Sequence, residues 1–441
     1  MTFANQVKNT LFQDISDMAQ ISQRFSKHPE TDFSRNRKIN FQALLHFLIS
    51  MEAGTIKQEL LKYFTFDSST VPSSSAFCQQ RNKLLPEALP FLFQQFNSHY
   101  SFSLYKGKYH LLACDGSSFS FTRNPKDPDS YFPPDGKTTN GYNQVHVVAL
   151  FDILSKRYCD SVIQPIRNKN EFQALINMID RYHIPGTSPI FIADRGFPSF
   201  NVFAHAVEHG SYFLIRAKDA SVQRILGKDL PKEDCFDLQV NRILTRSQSK
   251  KKRLHPELED QYRFICRNVS FDYIEHGSGK EYPISFRILR FKISENSYES
   301  IITNLPQEEF SLEEIKMLYG LRWNIETSFR DLKHTIGTRN FHSKKREFIE
   351  MEVLARLILY NFCSIITEHV VITQKARKHN YQPNYTIAYY ACHYFLRLHK
   401  GEEPPNVEGL IEQNILPVRP ERKYARQHRF RAPVGFAYRL S

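Results

Sequence analysis

The stretch Tyr319-Gly-Leu-Arg-Trp-Asn-Ile-Glu-Thr-Ser-Phe-Arg-Asp-Leu-Lys-His-Thr-Ile-Gly337 carries two interleaved patterns. Leu318, Leu321, Ile325, Phe329, Leu332 and Ile336 recur at helical spacing and predict a helix with one face packed into a core. Tyr319, Arg322, Glu326 and Lys333 are spaced 3, 4 and 7 apart. At about 100° per residue these four fall in a stripe roughly 60° wide, just beside the apolar one. The helix is therefore expected to present one carboxylate, two cations and a phenol at the rim of a buried face. A lone acid among cations beside a core suits metal-dependent phosphoryl transfer, the acid serving a cation and the basic groups serving phosphates. Taken alone, the pattern equally describes an amphipathic helix with solvated charges on its shoulder.

Two further carboxylates sit where open sheets place their ligands. His110-Leu-Leu-Ala-Cys-Asp115-Gly116 is a short apolar run ending in Asp-Gly, and Pro189-Ile-Phe-Ile-Ala-Asp194-Arg-Gly-Phe197 repeats that grammar. Unalternating apolar runs of this length read as strands buried on both faces. An Asp at the exit then lies at the carboxyl edge of the sheet, although Asp115-Gly116 and Asp194-Arg-Gly196 also read as simple turns. With the acid-bearing helix they form an Asp–Asp–Glu set able to hold two divalent cations.

Asp115, Asp194 in its Asp-Arg-Gly-Phe context, and Glu326 inside Tyr-x2-Arg-x3-Glu-x6-Lys resemble the DDE transposases of bacterial insertion sequences, in particular the group with that four-residue signature. The resemblance spans about residues 105–370 and includes Tyr142–Asp152, Tyr212–Lys218 and Ile301–Leu305. It implies a ribonuclease H-like α/β catalytic core and cut-and-paste chemistry: binding of terminal inverted repeats, cleavage of the DNA ends, and joining to target DNA. It further implies a DNA hairpin intermediate and a homodimer in the DNA complex. Hard cations demand oxygen ligands, so Asp115, Asp194 and Glu326 are the expected catalytic and metal-binding residues for two Mg2+ ions, with Mn2+ as substitute. Lys333 and Arg322 are expected to grip phosphates and Tyr319 to bond a phosphate or stack on a sugar or base. Trp323 and Tyr298 are candidates for holding a flipped base. A stand-alone nuclease would share the three acids, and a non-enzymatic DNA-binding repressor would need none of them.

The bulk composition agrees with a polyanionic partner. The chain has 441 residues and a net charge of +13, a balance that favours nucleic acid. Basic residues concentrate in Arg246–Arg253, with Lys250, Lys251, Lys252 and Arg253 as candidate DNA contacts, and in the tail from Pro417 to Ser441. Solvated loops are the plainer reading of both. No apolar run reaches the roughly 18 residues of a membrane span, and the first residues lack a signal core. A cytoplasmic, nucleoid-associated protein is expected. The seven scattered cysteines, never Cys-x-x-Cys, argue for a reducing compartment and against a disulfide frame or a cysteine zinc site.

Along the chain, residues 1–100 read as a helical domain. Gln79, Gln80, Arg81 and Lys83 on a short helix after the Ser68–Ser75 loop suggest a helix-turn-helix reader of DNA ends; a packing module is the alternative. Residues 101–216 follow the order β-β-β-α-β-α-β of a ribonuclease H-like core, and His146 in its second strand reads as structural. The 132 residues from Asp194 to Glu326 are too many for one connection. Strand-like runs there predict a mostly β insertion over 217–305. The core resumes over 306–370 with the acid-bearing helix, and 371–441 forms a helical region with a basic tail.

Overall fold

The computed structural model describes residues 1–135, 141–226, 230–231, 233–247, 261–295, 297–338, 340–373, 379–398 and 401–419. The Lys250–Arg253 run and the tail beyond residue 419, both singled out above for DNA, lie outside these residues.

Five helices open the chain: α1 (Phe3–Gln20), α2 (Phe41–Ser50), α3 (Ile56–Tyr63), α4 (Ser74–Arg81) and α5 (Ala88–Ser98). Local chemistry sets their starts. Asn40 and Ser73 accept the amides of Ala43 and Ala76, and Thr55 with Gln58 forms a reciprocal capping box.

Strands follow: β1 (Tyr109–Phe121), the two-residue β2 (Tyr131–Phe132), β3 (Tyr142–Asp152) and β4 (Arg157–Pro165). Then come α6 (Glu171–Arg181), β5 (Ser188–Ala193), α7 (Phe200–Glu208) and β6 (Tyr212–Ala217). Apart from β2, this is the expected order β-β-β-α-β-α-β. In space β4 pairs β3, β3 pairs β1 and both pairings are antiparallel, while β1, β5 and β6 are parallel.

The β-rich segment 217–305 is present but is not a layer of its own. After α8 (Asp219–Leu226) come β7 (Phe236–Thr245), β8 (Tyr262–Phe264), β9 (Glu281–Ser294) and β10 (Ser297–Thr303). β10 pairs antiparallel with β6 (Ile302 opposite Ile215), β9 pairs with β10, and β7 pairs with β9. One ten-stranded sheet results, in the order β2-β3-β1-β5-β6-β10-β9-β7-β8 with β4 on β3. The edge of β6 supplies unpaired backbone groups, and β10 satisfies them.

The remaining elements are α9 (Leu312–Leu321), α10 (Trp323–His334), α11 (Arg346–His369), the hairpin strands β11 (Tyr381–Pro383) and β12 (Ile415–Pro417), α12 (Tyr385–Arg397) and α13 (Val407–Gln413). Strand alternation divides the sheet into two faces. Leu111, Ala113, Ile190, Ile192, Leu214 and Ile301 join a core with α1, α2, α5, α9, α10, α11 and α12. Leu112, Cys114, Phe191, Ala193, Phe213, Ile215 and Ile302 join a second core with α6, α7 and α8.

The N-terminal helices are thus a layer over the first face of the sheet and share one core with α9, α10 and α11. Arg81, expected on the DNA-facing helix, is buried. It bonds Glu352 of α11 at 2.8 Å, and Glu352 also accepts the His342 amide and ring. Burial alone would raise the Glu352 carboxyl, but Arg81 and His342 outweigh it and hold it low. Gln79 remains exposed on α4, while Gln80 is half-buried and Lys83, just past the helix, is half-buried 3.7 Å from Asp32. Among the described residues, no helix is long and apolar enough to cross a membrane.

Candidate active site

β1 runs straight through Asp115-Gly116, so this Asp-Gly is not a turn: Asp115 pairs with Ala149 of β3. What opens the strand at Asp115 is its other neighbour. β5 pairs β1 only as far as Cys114 opposite Ala193. The next residues, Asp115 and Asp194, therefore stand side by side where the parallel ladder ends. Alternation puts both on the face that carries α9 and α10. Asp115 Oδ1 accepts the Gly116 amide at 2.8 Å, and Asp194 Oδ1 accepts the Gly196 amide at 2.7 Å.

Glu326 arrives on α10. The predicted single helix is broken at Arg322, where the ladder tightens to i→i−3: the Arg322 amide bonds Tyr319 O and the Ile325 amide bonds Arg322 O, both at 3.1 Å. Ile325, Phe329 and Leu332 are buried as predicted, and the Phe329 ring packs edge-on to Phe119 of β1. A buried polar chain fixes the helix position. Ser328 Oγ lies 2.9 Å from the Tyr158 hydroxyl. Asn361 of α11 bonds both the Tyr158 amide and carbonyl, and its side chain also donates to Asn97 of α5.

The four signature residues do not share one environment. Arg322 is only 3% exposed. Its Nη2 donates to Glu326 Oε1 at 2.8 Å and its Nη1 lies 3.8 Å from Asp115 Oδ2. The expectation that Arg322 offers its fork to a phosphate is corrected accordingly: this guanidinium bridges two site carboxylates. Its Nε and Nη1, and the Tyr319 hydroxyl, are buried without a hydrogen bond. Tyr319 belongs to the core, so the helix break turns it inward, away from any sugar or base. Lys333 Nζ donates to Ser117 Oγ at 2.6 Å, two residues beyond Asp115 on the same strand face. Trp323 is 51% exposed beside the Arg322 guanidinium.

Tyr298 is not brought to the cluster. It alternates with Glu299 on β10 and faces the other side of the sheet, its hydroxyl bonded to Asp234 and its ring against Arg290. Glu299 faces the site instead, paired with Arg216 of β6 at 2.8 Å. Burial raises its carboxyl, opposed by Arg216 and Arg322. Neither Arg216 nor Glu299 was expected in the site. The available signal was a lone charge inside each otherwise apolar or β-branched strand end. Also unexpected is Glu171, which starts α6 beneath Gly116. Its Oε1 lies 2.7 Å from His146 Nε2, a contact that holds the Glu171 carboxyl down at about 2. His146 Nδ1 lies 3.0 Å from Ser118 Oγ, in the structural place expected for it. A Cβ at position 116 would sit 2.5 Å from His146 Nε2 and 2.9 Å from Glu171 Oε1, so only glycine fits.

Burial pushes the Asp115 carboxyl up to about 6; the Gly116 amide and Arg322 oppose the rise, and Asp194 and Glu326 add to it. Asp115, Asp194 and Glu326, with no histidine or cysteine among them, are an oxygen donor set that suits a hard divalent cation.

Residues 106–362 match the family model described as Transposase DDE domain, more than half of the chain. The chain belongs to this transposase family. It is 24% identical over 335 residues to transposase InsG for insertion sequence element IS4 of Escherichia coli K12, a match covering 72% of this chain and 66% of that protein. It is 35% identical over 63 residues to the transposase for insertion sequence element IS231E of Bacillus thuringiensis subsp. finitimus, covering 14% and 13% of the two chains. The chain thus spans just under two thirds of the InsG transposase. Among solved structures it is similar to piggyBac transposase in a synaptic complex with hairpin DNA, at 10% identity and a TM-score of 0.42, covering 89% of this chain and 80% of that one. At that score the likeness adds no weight to the strand order itself.

Proposed function

We propose that this chain is an insertion-sequence transposase that binds the terminal inverted repeats of its element, cleaves the DNA ends by phosphoryl transfer and joins them to target DNA. What supports the reading is Asp115: the β1–β5 ladder ends just before it and Asp194, and burial together with the charges of Asp194 and Glu326 pushes its carboxyl up to about 6. These three acids would hold two Mg2+ ions, with Mn2+ as substitute. Divalent cations bound there supply charge neutralisation at the phosphate and a nucleophile acidified to act near neutral pH.

The other residues supply position. Arg322 orients the Asp115 and Glu326 carboxylates, lying 3.8 Å from the first and bonding the second at 2.8 Å. Lys333, held by Ser117 next to Asp115, is the point charge for the phosphate beside the scissile bond. Trp323 offers an exposed ring face on which an unpaired base of a sharply bent end can stack. Such an end is what a hairpin intermediate requires. Cleavage and joining use the same groups, because only the nucleophile changes, from water to the freed 3′-hydroxyl. A homodimer in the DNA complex would bring two ends together.

The test uses duplexes carrying the inverted repeats that flank the coding region, with Mg2+ or with chelator. Wild type should nick the end and join it to a target plasmid. Asp115→Asn, Asp194→Asn and Glu326→Gln should each bind the end and make no product. Cutting without joining would identify a stand-alone nuclease. Binding with no product in wild type would identify a repressor.

A further inference from the structure

The second face of the sheet carries a cluster that the transposition chemistry does not use. Asp180 closes α6, His205 lies in α7 and His209 follows one turn later, just past the end of α7. One ligand atom from each lies within 4.8 Å of the other two. Asp180 Oδ1 is 2.7 Å from His205 Nδ1 and 3.6 Å from His209 Nδ1, and His209 Nδ1 also donates to the His205 carbonyl at 2.9 Å, a bond that ligation through that nitrogen would replace. The two imidazoles are near parallel, 8° apart, with centroids separated by 6.4 Å.

Behind His205 stands a second carboxylate. Its Nε2 lies 3.0 Å from Asp272 Oδ2, between β8 and β9. Asp272 is itself oriented: Asn201 Nδ2 donates to it at 2.9 Å, and the Asp272 amide donates back to Asn201 Oδ1 at 3.0 Å. Ligating histidines characteristically donate their second ring N–H to such an anchored carboxylate. A neutral imidazole has one donor nitrogen and one acceptor. With Asp272 taking the proton of Nε2, Nδ1 turns a lone pair toward the Asp180 carboxylate. Lone pair and carboxylate at 2.7 Å repel unless a proton lies between them or a cation to one side draws both onto itself.

We propose that Asp180, His205 and His209 bind one zinc-class divalent cation, with Asp272 as the carboxylate that orients His205. Two imidazoles and one carboxylate suit a borderline transition ion, not Mg2+, and three protein ligands leave a fourth position open for water. The site is separate from the catalytic acids. Asp180 is nine residues along α6 from Glu171, or roughly 13 Å at 1.5 Å per residue. A bound ion would staple the end of α6 to the end of α7 and, through Asp272, to the segment leading into β9.

The experiment uses the full chain, stripped with chelator, in excess Mg2+ so that the catalytic acids are occupied. Co2+ serves as the spectroscopic probe and Zn2+ as the thermal one. Wild type is expected to take up one equivalent of Co2+ with the intense visible bands of a four-coordinate site and no thiolate charge-transfer band. Zn2+ should raise its melting temperature. His209→Ala and Asp180→Asn, at side chains that are each 38% exposed, should keep the fold and lose both responses. Asp272→Asn should weaken binding about 10–100-fold. Glu326→Gln should bind Co2+ as wild type does, which separates this site from the catalytic one. No stoichiometric uptake by wild type, a thiolate band, or unchanged uptake in His209→Ala and Asp180→Asn would overturn the proposal and leave His205 as a protonated bridge between two carboxylates.

Discussion

Asp115→Asn separates a metal-holding carboxylate from a structural one through stability alone. Burial, reinforced by Asp194 and Glu326, lifts the Asp115 carboxyl from 3.8 to about 6. The folded protein therefore holds this proton more tightly than the unfolded chain does. The group's favourable contribution is fully present below about pH 3.8, falls away as pH rises to about 6, and is gone above that. At about 1.36 kcal/mol per pH unit, the ionised carboxylate costs the folded state about 3 kcal/mol at pH 8. Its side chain is 22% exposed and its nearest cationic nitrogen is 3.8 Å away, so solvent relieves little of this and Arg322 compensates only in part. Asparagine keeps an oxygen for the Gly116 amide and cannot ionise. In urea unfolding without divalent cation, Asp115→Asn should be more stable than wild type by about 2–3 kcal/mol at pH 8, with the difference vanishing by about pH 4. Saturating Mg2+ should then stabilise wild type and not the variant. A variant less stable than wild type at pH 8, a difference that ignores pH, or an equal response to Mg2+ would make Asp115 an anchor for Arg322 and remove the basis for a cation there.

Lys333→Ala should weaken binding of the cleaved end and slow turnover while leaving unfolding within about 1 kcal/mol of wild type, since a half-exposed cation contributes little to stability; its end affinity should also show a shallower salt dependence, read by titration from low to high salt. Trp323→Ala should leave the melting curve within about 0.5 kcal/mol of wild type yet reduce hairpin or bent-end binding, measured with 2-aminopurine at the terminal base. Tyr298→Ala should leave the same signal unchanged. Glu352→Gln strips Arg81 of its buried partner and should cost about 3–5 kcal/mol in urea unfolding; a cost under about 1 kcal/mol would mean that the N-terminal layer is not anchored by this pair.

Much of the site was legible before any fold was known. Apolar runs that end in a single Asp, and an acid set at helical spacing among cations, are local patterns. Side-chain periodicity converts such patterns directly into faces and edges. The same logic correctly gave Ile325, Phe329 and Leu332 to the core and His146 to a structural place. What it could not supply was the identity of each neighbour. Asp115 and Asp194 stand together because β5 ends one residue short of them, a matter of register between strands 79 residues apart. Arg322 looked like a phosphate clamp, yet the break in the helix and the burial beneath it give its guanidinium to Glu326 and Asp115. Tyr298 looked available until strand alternation on β10 sent it to the far face. Residues 217–305 read as β-rich from their composition, but only the open edge of β6 made them the far half of one sheet. Residue type and spacing are properties of the local chain. Partner, register and the cost of burying a charge depend on what the rest of the chain brings within a few ångströms.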